Sequence, residues 1–219
     1  TICCAITSIL FDFELVEGKD HPKELPPAML IQFGKTGGLL LHLTKTIHGS
    51  SRYVILDSGF CVLKAIVGLC QHDVFSGALI KKCRYWPALV LGDAIDQYFD
   101  AKPVGSADAV AGKLDGVPYN IFCLKDQGYV TKIMATGLGL FYNDDRVHSE
   151  RVQFRYPEPF ELHYKFRHLI DDHNNKWHAV PLIEGSLKTQ HWAMRCFQYL
   201  LATSETNLYL AMMHFLWGG

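Results

Sequence analysis

The amino-acid sequence predicts an α/β fold in which a mixed sheet is flanked by helices. An apolar strand, a helical run and a second apolar strand fill residues 52–80, which is the order of a parallel βαβ unit. Three β-rich runs follow within residues 100–140, and two long helical patterns, at 158–177 and 191–216, end the sequence. We therefore predict one domain over residues 1–219, with a β-rich middle section before the C-terminal helices.

Composition and charge are those of a globular protein that does not depend on charge alone to bind a partner. Hydrophobic residues account for 49% and charged residues for 20% of the sequence, and 21 Lys and Arg balance 22 Asp and Glu to a formal charge of −1. These values exclude a disordered chain and a strongly basic nucleic-acid-binding protein. The cysteines show no C-x-x-C spacing, which favours a reduced compartment over a disulfide framework or a zinc finger.

One apolar run, 197–217, is long enough to raise the question of a membrane span. Five polar residues in succession, 203–207, lie at its centre, where burial in lipid costs most. We therefore expect a packed helix there and no membrane partner.

The first 50 residues predict strands, a surface loop and a helix. Residues 1–15 are rich in β-branched and aromatic side chains, typical of a strand pair or one bent strand. Because the sequence begins abruptly inside this element, we expect a truncation at its N-terminus. The charged segment 17–27 contains three prolines and predicts a loop, and spaced leucines predict a helix over 35–48.

Asp57 is the most informative single residue. It ends the apolar strand 52–57, and the turn Ser58-Gly59 leads from it into a helical run over 60–72. In open α/β sheets, ligands collect at the carboxyl ends of the strands, and an acid there is costly unless it pairs or binds a cation. Asp is also a favoured N-cap residue. A helix cap and a metal ligand are therefore both open interpretations of this side chain.

A basic and aromatic segment follows the second strand of this unit, which we predict over residues 77–80. Its side chains suit phosphate contacts and stacking on an unpaired base, and they equally suit a solvated strand end with aromatic rings packed beneath it. The candidate DNA-binding residues are Lys81, Lys82, Arg84, Tyr85 and Trp86.

The remaining central elements follow from periodicity and turn residues, with Gly116 and Gly128 expected between strands. The predicted ranges are 92–99 for a helix, 109–111, 119–123 and 129–134 for strands, and 143–150 for an exposed loop.

The first closing helix carries a second candidate acid. Its apolar stripe, which would face a core, consists of Leu162, Phe166, Leu169, Ile170 and Trp177. Asp171 lies at the border of this stripe, where a helix leaning on a sheet could aim a carboxylate at a strand end. A solvated helix face has the same pattern. Four histidines of this region are spaced by five residues, which places successive ones on different faces of the helix, so we expect no metal site from them.

Together these features resemble the catalytic domain of piggyBac-type transposases and of related transposon-derived proteins. The resemblance runs over nearly the whole sequence. It rests on the segments 53–61 (YVILDSGFC), 78–87 (ALIKKCRYWP) and 170–175 (IDDHNN), and on Trp192 and Asn207.

The resemblance implies a ribonuclease H-like fold and the cutting and rejoining of DNA, with three aspartates that hold divalent cations, Mg²⁺ or Mn²⁺. Asp57 matches the first acid and Asp171 the third, and Asn174 stands where many members have a further Asp. The expected metal ligands are therefore Asp57, Asp171 and Asn174. The resemblance also implies transposon-end DNA as a partner, a homodimer and a nuclear location.

The second of the three aspartates that the resemblance implies has no match in this sequence. It is expected just after the strand at 129–134, where this sequence continues Ala135-Thr136-Gly137-Leu138. We therefore expect little or no transposase activity from this polypeptide. The alternative function is a non-catalytic, transposon-derived domain that binds DNA or a protein. An unrelated α/β hydrolase finds no support, since no G-x-S-x-G motif is present.

Overall fold

The computed structural model describes residues 1–14, 25–81, 92–147, 155–179 and 191–217. The chain divides into two compact units. The larger unit is Pro22–Arg167, and the smaller unit joins Thr1–His21 to His168–Gly219. Asp57 therefore belongs to the larger unit and Asp171 to the smaller one.

The described ranges contain nine strands and six α-helices. The strands are β1 Ile2–Cys3, β2 Leu10–Asp12, β3 Arg52–Leu56, β4 Val74–Leu79, β5 Ala107–Leu114, β6 Val117–Lys125, β7 Val130–Ala135, β8 Tyr142–Val147 and β9 Arg155–Pro157. The α-helices are α1 Pro27–Leu43, α2 Leu63–Gln71, α3 Gly92–Asp100, α4 Glu158–Phe166, α5 Leu169–Ala179 and α6 Trp192–Ala211.

A five-stranded mixed sheet forms the centre of the larger unit, in the order β3-β4-β7-β6-β5. Strands β3 and β4 are parallel, with Arg52 opposite Val74 and Leu56 opposite Ala78. The other neighbours are antiparallel. The predicted parallel βαβ unit and the β-rich middle section are thus confirmed.

Both faces of this sheet are covered. On one face, Phe160 of α4 packs into a core cluster with Phe122, Leu124 and Ile133. Residues that alternate with these, such as Met134, are fully buried as well. Central strands that are buried on both faces read as nearly continuous apolar runs, which is why the sequence pattern located β6 and β7.

Helix α1 begins at Pro27, earlier than the predicted start at residue 35. Proline is favoured in the first turn of a helix because its missing N–H would have no intrahelical partner there. The helix is kinked at Gly34, whose φ of 71° and ψ of 178° lie where glycine has no steric penalty. The spacing of the leucines after this kink predicted only the second part of the helix.

Two predicted elements were wrong. The single helix expected over 158–177 is broken into α4 and α5 by a turn at Arg167 and His168, which is also where the two units divide. The loop expected over 143–150 is partly a strand, since β8 pairs antiparallel with β9.

The smaller unit contains the antiparallel pair β1–β2, in which Ile2 lies opposite Asp12, so the predicted N-terminal strand pair is confirmed. Helices α5 and α6 complete the unit. The buried side of α6 is partly polar, with Gln198, Thr203 and Thr206 among its buried residues. Within the described ranges, the helices lack the length and apolar character that crossing a membrane requires.

Candidate functional site

Asp57 lies immediately after β3, and its side chain is exposed. Its Oδ2 accepts a hydrogen bond of 3.2 Å from the backbone N–H of Gly59, and it caps the short 3₁₀ turn Ser58–Phe60. The hydroxyl of Ser58 lies 3.5 Å from Oδ1. Asp57 thus caps this turn and not the following helix α2, whose N-cap residue is Val62. An exposed carboxylate with one such bond still has lone pairs available for a cation.

Lys81 lies at the same edge of the sheet as Asp57. Leu56 and Ala78 are paired in parallel register, so β3 and β4 end side by side. Beyond that end, the N–H of Ile80 donates to the carbonyl oxygen of Lys132 at 2.9 Å, and Lys81 is exposed. We call this end of the sheet the carboxyl edge. The other candidate DNA-binding residues, Lys82, Arg84, Tyr85 and Trp86, lie outside the described residues.

The end of β7 lies at the opposite edge of the sheet from Asp57. Strand β7 is antiparallel to β4, so Ala135 lies opposite Gly77, and the N–H of Thr136 donates to Ser76 at 2.9 Å. After β7 the chain therefore continues away from the carboxyl edge. No carboxylate stands at residues 135–138, and the absence of the second acid of the resemblance from the site stays a prediction.

Asp171 lies in the first turn of α5, and its side chain is exposed. A negative charge in that position is favoured by the helix dipole, which supplies a structural reason for an acid there. Asn174 lies one turn further along α5. Asp57 and Asp171 belong to different units, so their pairing stays a prediction.

His173, two residues after Asp171 on α5, is buried, with 1% of its surface exposed. Its Nε2 lies 3.3 Å from Oδ1 of Asn207 on α6. Across the described ranges, no three or more His, Cys, Asp or Glu side chains converge as a metal site would require.

Two buried thiols of the larger unit are unsuited to nucleophilic chemistry. Burial raises the pKa of Cys61 and that of Cys123 to about 12. Thiols with such a pKa are protonated at neutral pH, and the thiolate is the reactive form.

Comparison with known proteins identifies the family. A transposase model described as Transposase IS4 matches residues 1–209 of the 219. This chain belongs to that transposase family. Among curated proteins, no match was found.

The fold of this transposase-family chain is similar to that of a solved piggyBac transposase. The structure, a cryo-EM synaptic complex with hairpin DNA, superimposes with a TM-score of 0.67 at 14% sequence identity. The match covers 97% of this chain and 40% of the piggyBac chain. The chain thus spans less than half the length of the protein it resembles. The predicted resemblance and fold class, a mixed sheet flanked by helices, are confirmed.

Proposed function

We propose that this transposase-family chain is a DNA-binding core of the piggyBac type whose set of catalytic acids is incomplete. The observation that carries the proposal is the exposed Asp57 at the carboxyl edge, with the exposed Lys81 beside the same edge. A carboxylate can hold a catalytic cation, and a lysine can contact a DNA phosphate. The family membership supports this interpretation.

Asp57, Asp171 and Asn174 would hold the cation. Oxygen ligands suit Mg²⁺ or Mn²⁺, and Mg²⁺ retains several waters, so exposed carboxylates with few protein neighbours fit it. When bound in pairs, such ions activate an attacking oxygen and stabilise a leaving oxygen at phosphorus. Asp57 and Asp171 are two acids where the resemblance implies three, so we expect weak cation binding and little or no strand cleavage.

Helix α4 of the larger unit ends at the carboxyl edge. The hydroxyl of Tyr164 lies 3.4 Å from that of Thr131, close to the start of β7.

DNA at transposon ends is the proposed partner. Lys81, Lys82 and Arg84 would contact phosphates, and Tyr85 and Trp86 would stack on an unpaired base. A homodimer and a nuclear location belong to the same proposal. Both follow from the resemblance.

A non-catalytic DNA-binding function is the second candidate, and one observation favours it. The Asp57 carboxylate already has a structural role as the cap of the turn Ser58–Phe60. An acid retained only for this cap would need no cation.

Calorimetric titration with Mn²⁺ separates the two candidates. Asp57→Asn keeps a residue that caps well and removes the charge, so it tests the cation site without removing the cap. We expect weak binding by the natural chain and its loss in Asp57→Asn and Asp171→Asn. Asp115→Asn is the matched control, because Asp115 is exposed in the turn between β5 and β6. Binding that survives Asp57→Asn would refute the proposed cation site.

A cleavage assay tests the proposed inactivity. Nicked and hairpin DNA would be incubated with the natural chain and Mg²⁺ or Mn²⁺, with Asp57→Asn as the blank. We expect no strand cleavage above this blank. Cleavage that depends on Asp57 would show that the two acids suffice.

A further inference from the structure

Three tyrosines and an arginine form a cluster on the larger unit, which we call the tyrosine patch. The ring centroid of Tyr164 lies 5.1 Å from that of Tyr156, with the planes inclined by 48°. The guanidinium carbon of Arg167 lies 5.1 Å from the centre of the Tyr164 ring. Tyr129, in the turn between β6 and β7, is close enough to raise the pKa of Tyr156 and of Tyr164 slightly, after the larger effect of burial, and 63% of its surface is exposed.

The sheet and α4 hold the patch in place. Tyr156 and Tyr164 pack against the core cluster around Phe160, and the Tyr164 hydroxyl contacts Thr131. The turn that carries Tyr129 is closed by a 2.8 Å hydrogen bond from the N–H of Asp126 to the carbonyl oxygen of Tyr129. Aromatic rings that are already fixed lose little conformational entropy when a ligand stacks on them.

The patch lies at the carboxyl edge, on the same side of the sheet as α4. Val130, the first residue of β7, pairs with Lys125, and β7 runs antiparallel to β4, so its start lies beyond the end of β4. Tyr129 is therefore at the edge that carries Asp57 and Lys81. This location is independent of the residues 82–86, on which the sequence placed DNA binding.

We propose that the tyrosine patch binds unpaired bases of a single-stranded DNA segment. Bases stack on tyrosine rings and on the guanidinium plane of arginine, and an arginine also contacts phosphate. Arg167, directly after α4, and Lys165, on α4, are both exposed, and the carboxylate of Asp126 acts on the same tyrosines. Two cations and one carboxylate around partly exposed rings fit an anionic, aromatic ligand better than an apolar protein surface. The inference rests on the proposed DNA function and names the form of DNA that is bound.

Fluorescence anisotropy with short single-stranded oligonucleotides, in the presence of EDTA, tests the patch. We expect Tyr129→Ala to weaken binding by about 5- to 100-fold, the range for loss of one stacked base, and Tyr129→Phe to retain it. Arg167→Lys keeps the charge and loses the planar stacking surface, so it should weaken binding as well. Tyr209→Ala is the matched control, because Tyr209 is exposed to 55% on α6 and lies outside the patch.

An oligonucleotide of the same length without bases separates stacking from phosphate contact. We expect it to bind at least about fivefold more weakly than the base-bearing strand. Equal binding of the two strands, or a Tyr129→Ala variant that binds as tightly as Tyr209→Ala, would overturn the proposal. EDTA removes divalent cations, so failure of the cation site at Asp57 would leave this result unchanged.

Discussion

The side-chain amide of Asn207 hydrogen-bonds both backbone groups of Leu10, although the two residues are 197 positions apart. Its Oδ1 accepts from the N–H of Leu10 at 2.9 Å, and its Nδ2 donates to the carbonyl oxygen of Leu10 at 2.9 Å. The same Oδ1 lies 3.3 Å from Nε2 of His173. Since an amide oxygen only accepts, this contact assigns the ring proton of His173 to Nε2. Asn207 therefore ties β2, α5 and α6 together within the smaller unit.

We predict that Asn207→Ala destabilises the smaller unit by about 1–3 kcal/mol, because the partly buried backbone groups of Leu10 lose their partners. Asn207→Asp should also destabilise, since a carboxylate cannot donate to the Leu10 carbonyl. Urea unfolding followed by circular dichroism measures both changes.

Leu208→Ala on the neighbouring exposed position of α6 is the control, and it should change the free energy of unfolding by less than about 0.5 kcal/mol. If Asn207→Ala were no more destabilising than this control, the two hydrogen bonds to Leu10 would have no net value in solution.

The side chain of Tyr53 on β3 lies against Gly77 on the neighbouring strand β4. A Cβ at this position would lie 2.0 Å from the hydroxyl oxygen of Tyr53 and 3.2 Å from its Cζ. We predict that Gly77→Ala destabilises the protein by about 1–3 kcal/mol through overpacking. In a Tyr53→Phe background, the obstructing oxygen is absent and most of this loss should disappear. A double-mutant cycle in urea measures the coupling, and strictly additive losses would contradict the contact.

His48 and His72 form a stacked pair at the amino ends of β3 and β4, with ring centroids 4.4 Å apart and planes 7° from parallel. Burial, then His72, then Lys45 hold the pKa of His48 below its ordinary value. Thr44 and Asp73 lie beside the pair, and Asp73 accepts a hydrogen bond from the Ser51 hydroxyl at 2.7 Å.

The sign of the resulting pH dependence follows from linkage. The unfolded chain binds the His48 proton at a higher pH than the folded chain does, so stability is greatest above the unfolded value of about 6.5 and falls as the pH drops towards the folded pKa. We predict that His72→Gln raises the pKa of His48, measured by NMR titration, and reduces the stability lost between about pH 7.5 and about pH 5. His214→Gln, which removes an exposed histidine of the smaller unit, should leave the pKa of His48 unchanged. A His48 pKa that is identical with and without His72 would show that the stack has no electrostatic effect.

Local periodicity predicted the parallel βαβ unit, the three central strands and the N-terminal strand pair. It also placed Asp57 at the carboxyl edge, because a strand of four apolar residues that ends in Asp is a local signal. Periodicity did not predict the break between α4 and α5, because Phe166, Leu169 and Ile170 continue the apolar spacing across the boundary between the two units. The sequence pattern did not predict the tyrosine patch either, because Tyr129 and Tyr164 come together only through the pairing of β6 with β7 and the packing of α4.

Tyr98, Lys102 and Asp108 form a polar group where α3 meets β5. The hydroxyl of Tyr98 donates to Oδ2 of Asp108 at 2.6 Å, and Nζ of Lys102 lies 3.7 Å from the same oxygen and 3.7 Å from the centre of the Tyr98 ring. The Tyr98 hydrogen bond, followed by the N–H of Ala109, lowers the pKa of Asp108. The Asp108 contribution to stability is therefore present above the unfolded pKa of about 3.9 and is lost as the pH falls through the folded value.

We predict that Tyr98→Phe raises the pKa of Asp108 and that Lys102→Met raises it less, because a hydrogen bond to the charged form outweighs a solvent-screened ion pair. NMR titration of the Asp108 carboxyl carbon measures both shifts, with Tyr129→Phe as a control that should have no effect. A larger shift in Lys102→Met than in Tyr98→Phe would reverse this order and make the ion pair the main cause.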